Sequence, residues 1–63
     1  MDGIDLVALR LRAGLRQFEL AARLGVTQTM VCDLERGRRT ITPEIEQQIR
    51  TVLTAATKEQ NSR

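Results

Sequence analysis

One stretch decides what this chain can become: Gln17 to Arg36, where two short apolar periodicities are interrupted at Gly25. Leu20, Ala21 and Leu24 recur at i, i+1 and i+4, which puts them on one face of a helix turning about 100° per residue. Gly25 supplies the permissive backbone of a sharp turn, since a side chain there would resist a left-handed conformation. Val26 reads as a plug between two helices, and Thr27 as an N-cap whose hydroxyl accepts from an amide at the start of the second. In that second helix Met30, Val31 and Leu34 fall together and face inward. Gln28, Thr29, Cys32, Asp33 and Arg36 remain, spread over about 140° of outward surface.

A chain of 63 residues is one domain, near the lower size limit for folding without a metal or disulfide. Its apolar content is almost wholly Ile, Leu, Val, Ala and Met, which pack well between helices, and Phe18 is the single aromatic. The expected architecture is a compact all-α domain of four helices, or five with an extra turn. One cysteine cannot form an internal disulfide, and neither a signal peptide nor an apolar run of spanning length is visible. A reducing cytoplasm is the expected location, with no membrane partner. The net charge is only +2, but Arg10, Arg12, Arg16, Arg23, Arg36, Arg38 and Arg39 all precede residue 40. That asymmetry suits a polyanionic partner.

The spacing predicts a first helix from Ile4 or Asp5 to about Ala13, with Asp2 or Asp5 complementing its dipole. Leu6, Leu9, Arg10 and Ala13 form its core stripe, Gly14 ends it, and Leu15 returns to the core. Ile4, Val7 and Leu11 form a second stripe, expected to be covered by the last helix or by another subunit. Arg10 on the core face needs a partner, because an isolated charge there is costly; Glu35 is the obvious one. Gly37 to Ile41 has no helical period and forms a basic loop. Thr42, Pro43 and Glu44 then read as N-cap, first helical position and first turn. Ile45, Ile49, Val52, Leu53 and Ala56 carry that helix to about Thr57. The domain is therefore expected to span 1–57, with 58–63 a disordered tail.

Gln17, Leu20-Ala21, Leu24-Gly25-Val26, Val31, Leu34, Glu35 and Gly37 together resemble the lambda-repressor-like (Cro/Xre) family of helix-turn-helix DNA-binding domains, over about Leu6 to Leu53. The departure is Arg16, where such proteins usually carry a Ser or Thr cap; its loss costs about 1 kcal/mol unless another group caps the helix. The resemblance implies a structural ion pair between Arg10 and Glu35 beneath the motif and a phosphate contact from Gln17. It also implies a homodimer, formed either in free solution or only on DNA, on a roughly palindromic operator in a bacterial or phage-infected cell, with half-sites about one helical turn apart.

For DNA the residues divide naturally. The major groove, about 12 Å wide, admits a helix and displays an unambiguous donor and acceptor pattern. Gln28 suits adenine N6 and N7, and Thr29 a base edge or a thymine methyl. Cys32 and Asp33 lie on the same outward face, Asp33 either accepting from a cytosine amino group or paired with a cation. Gln17, Arg16, Arg36, Arg38, Arg39 and Thr40 are the expected backbone contacts, with Arg12 or Arg23 as further candidates. The expected function is a DNA-binding transcriptional regulator of phage or bacterial type; the alternative is a helical protein-interaction module or antitoxin-like adaptor. Salt-dependent binding to duplex DNA separates the two. With no histidine, one cysteine and no convergent carboxylate pair, neither catalysis nor a metal or other cofactor is expected. Single-stranded RNA would call for stacking aromatics, and Phe18 is expected in the core.

Overall fold

Each helix starts where the sequence offers an acceptor for a free amide. The computed structural model describes the backbone of residues 1–61 and the side chains of residues 1–59. Helix α1 spans Gly3–Arg12, with the Asp2 carboxylate accepting from the Asp5 amide at 2.8 Å. Helix α2 spans Gln17–Leu24, α3 Gln28–Arg36 and α4 Pro43–Asn61. Thr27 caps α3 through the Met30 amide at 3.1 Å, and Thr42 caps α4 through the Ile45 amide at 3.2 Å. The protein is all-α, with four helices and no strand among the described residues.

Arg16 offers α2 no conventional cap. Glu19, three residues on, instead turns its carboxylate back to the Arg16 amide at 2.8 Å, the reverse half of a capping box. At the other end Gly25 is left-handed (φ 74°), and the Val26 amide donates to Ala21 O at 3.0 Å. Gly37 repeats this device at the end of α3 (φ 79°), with the Arg38 amide donating to Asp33 O at 2.9 Å. The same Schellman closure thus ends both motif helices and fixes the angle at which the chain leaves each.

The four helices share one core. Leu6, Leu20, Val31, Leu34 and Ile49 are its largest fully buried side chains, joined by Ala13, Leu15, Ala21, Leu53 and Ala56. Leu9, Leu24, Val26, Met30, Ile41, Ile45 and Val52 pack around them half-buried. Helix α3 is therefore held on its inner side by α1 and α2, while α4 closes the bundle from α1 to α2. Gly3 meets α3 with no side chain between: a Cβ there would lie 2.2 Å from Glu35 O and 2.7 Å from Leu34 O. The start of α1, with its partial positive charge, thus rests on the carbonyl end of α3.

Three expectations fail. The second stripe of α1 is not covered by α4: Ile4 is 79% and Leu11 62% exposed, and Val7 is half-buried. The cleft between α1 and α4 is lined from α1 by Leu9 and Arg12 instead, facing Leu53 of α4. Phe18 is 53% exposed rather than in the core, because it stands two residues, about 200°, from Leu20 and so points away from the buried side of α2. Finally, α4 does not end near Thr57 but runs to Asn61, so Lys58 and Glu59 are helical. Ala56 anchors this last part in the core, and Arg23 holds Glu59 in a two-point contact at 2.7 and 3.2 Å. That hydrogen bonding draws the Glu59 carboxyl below its ordinary pKa. The remainder of the expected disordered tail, residues 62–63, lies outside the described residues.

Candidate nucleic-acid interface

The inward side of α3 is fixed by Val31 and Leu34, so the opposite side must face solvent. Gln28 and Thr29 are exposed in its first turn and Arg36 in its last, with Cys32 and Asp33 half-buried between. Gln28, Thr29, Cys32 and Asp33 join Gln17 of α2 and Arg38 of the loop around one shallow cleft of about 290 Å³. The turn at Gly25 is what brings the start of α2 beside the outer face of α3.

Beneath this cleft lies a polar network. Arg10 Nε donates to Glu35 Oε2 at 2.5 Å, Arg10 Nη1 to Leu15 O at 2.9 Å, and Gln17 Nε2 to Glu35 Oε1 at 2.8 Å. The Arg10 and Glu35 side chains are only 11% and 5% exposed, so each charge is largely removed from water and compensated by the other. Every buried side-chain nitrogen and oxygen among the described residues has a hydrogen-bond partner. The contact from Gln17 spans 18 positions, and no local sequence pattern announces it. It leaves the second Nε2 hydrogen of Gln17 free and sets the direction in which that hydrogen points.

The loop after α3 presents Arg38, Arg39 and Thr40, all exposed. Arg38 Nη1 and Arg39 Nε each lie 3.9 Å from a carboxylate oxygen of Asp33. These are long contacts between solvated groups, worth little and readily exchanged. Arg16 and Arg12 are exposed, whereas Arg23 is engaged by Glu59. The Glu19 cap could have been found in the sequence, since a Glu three residues into a helix is half of a capping box. The Arg23–Glu59 contact spans 36 positions, and no local pattern announces it.

These features, two helices meeting at a left-handed glycine over a shared core with the second turned outward at its start, match a known sequence pattern. The helix-turn-helix family pattern of Cro/C1 type matches residues 6–53. The chain belongs to this lambda-repressor-like helix-turn-helix family. No curated protein and no solved structure matches the chain. The family is one of DNA-binding regulators rather than enzymes, and its partner is double-stranded DNA. In this helix-turn-helix domain α2 and α3 are the motif, and α1 and α4 its support. Among the described residues no His, Cys, Asp and Glu cluster could hold a metal ion, and no helix is long and apolar enough to cross a membrane.

Proposed function

We propose that this helix-turn-helix protein is a sequence-specific transcriptional regulator of repressor or Cro type, which reads duplex DNA by inserting α3 into the major groove. The observation that carries this reading is the exposure of Gln28 and Thr29 in the first turn of a helix whose opposite side is buried. Residues at the start of a recognition helix reach furthest towards base edges. Gln28 pairs with an adenine and Thr29 with a neighbouring base, Cys32 lies near the groove floor, and Asp33 faces a base edge such as a cytosine amino group.

The remaining contacts hold the DNA backbone. Gln17 offers its second Nε2 hydrogen and the free amides of the α2 N-terminus to a phosphate. Arg16 flanks that site, Arg36 lies at the far end of α3, and Arg38, Arg39 and Thr40 clamp the next phosphates. Arg10 and Glu35 carry no DNA contact and hold α1, α2 and α3 in place. The protein acts as a homodimer on a roughly palindromic operator, assembled on the DNA where free subunits associate weakly.

Selection of bound duplexes from a random pool tests this directly, followed by titration of the selected site with Gln28→Ala. Relaxed preference at one base position, worth about 1–3 kcal/mol, supports the reading. A flat selection, or identical selectivity for the variant with its fold intact, overturns the role given to Gln28.

A further inference from the structure

The outer face of α1 carries an apolar strip that no described residue covers. Ile4 and Leu11 are 79% and 62% exposed, Ala8 between them is exposed, and Val7 borders the strip half-buried. At about 100° per residue, Ile4, Ala8 and Leu11 lie within about 60° of one another. Asp5 and Arg12, both exposed and seven residues apart, lie together on one flank of the strip, an acid near its beginning and a base at its end.

We propose that this strip is where two copies of the protein meet, with α1 packed antiparallel on α1 of a second copy about a two-fold axis passing near Ala8. The inference rests on the dimeric reading above and supplies its surface. An antiparallel two-fold arrangement puts Ile4 of one copy against Leu11 of the other. It also brings Asp5 beside the second copy's Arg12 twice, once on each side of the axis. A parallel two-fold arrangement would put the two Asp5–Arg12 flanks on opposite sides of the helix pair, where acid and base cannot meet, so the charge placement selects the antiparallel one. Ala8 at the centre allows the two helices to approach closely. Helix α1 is only about 15 Å long, and a stable interface needs about 800 Å² per partner. The pair is therefore weak in free solution and is completed when two subunits sit on adjacent half-sites.

Sedimentation of the purified protein without DNA, from about 10 µM to about 1 mM, reads this association over the range expected of a weak dimer. The average mass should rise with concentration, and Leu11→Glu should abolish the rise while circular dichroism shows an unchanged fold. Asp5→Arg and Arg12→Asp should each weaken association several-fold, and the two together should restore it. A monomer at every concentration, a dimer indifferent to Leu11→Glu, or a double variant no better than its singles overturns the proposal. Binding to a single half-site should be unaffected by Leu11→Glu, so failure of DNA reading and failure of this interface are seen in separate measurements.

Discussion

Removing Glu35 should cost this protein a large part of its stability, and removing Arg10 as well should return most of it. Glu35 receives three donors, two from Arg10 and one from Gln17, at a site where its side chain is 5% exposed. In Glu35→Ala the Arg10 guanidinium stays beneath the motif with only Leu15 O as an acceptor. Breaking a buried pair on one side costs about 3–5 kcal/mol. Arg10 keeps 11% exposure and its carbonyl contact, so the lower end, about 3 kcal/mol, is expected. At about 0.05–0.15 kcal/mol per residue, a 63-residue domain holds about 3–9 kcal/mol in all. Urea titration followed by far-ultraviolet circular dichroism should show Glu35→Ala largely unfolded or with its midpoint sharply lowered. Arg10→Met with Glu35→Leu replaces both charges by apolar groups of similar reach and should recover to within about 1 kcal/mol of the parent. A loss below about 1 kcal/mol for Glu35→Ala, or a double variant as unstable as the single ones added together, would refute the view that desolvation dominates this site.

Arg38→Ala and Arg39→Ala should weaken binding to every duplex alike and reduce the salt slope by about 0.9 each, measured by anisotropy across a salt series; an unchanged slope removes that residue from the clamp. Gly3→Ala should destabilise by about 1–3 kcal/mol in thermal melts, because its methyl group meets the backbone carbonyls of Leu34 and Glu35 rather than a side chain that can swing away. The Met1 amine donates to Glu46 at 2.8 Å, which raises the amine's pKa and lowers that of Glu46, where Arg50 adds a second hydrogen bond. The stabilisation from Glu46 is present above pH 4.5 and fades as pH falls through its lowered value; that from the amine is present below pH 8.0 and fades above its raised value. Melting temperatures of the parent and Glu46→Gln should therefore differ most between these limits and converge beyond them, and a constant difference would exclude the linkage. Glu19→Ala should cost about 1 kcal/mol by uncapping α2, whereas an unchanged melt would show that Arg16 needs no cap.

Local periodicity and capping chemistry made much of this fold legible. Val31 and Leu34 turn inward because they lie three apart on a helix, and Thr27 and Thr42 take the amides their position offers. The structure departs from the local pattern at three places. Phe18 is expected in the core from its place at the start of α2, although its phase relative to Leu20 points outward. The fate of Ile4 and Leu11 depends on where α4 crosses α1, a tertiary fact that no stripe on α1 contains. The last turns of α4 leave no local sign because Lys58 and Glu59 bring no apolar group to the core, while the group that engages Glu59 is Arg23, far back in the chain. At the interface, the outward face of α3 was visible in the sequence. The contact from Gln17 to Glu35 was not, since it joins a supposed phosphate ligand to a buried carboxylate across the turn.

Gly3 has a consequence for recognition although it faces no nucleic acid. Where the first helix touches the third, only hydrogen separates two main chains, so there is no soft side chain to take up tilt. In the proposed complex the pitch of the reading helix is thereby set by a hard stop at its far end. Bulk added at that stop would lever Gln28 and Thr29 out of register with the bases without altering a single group that touches them.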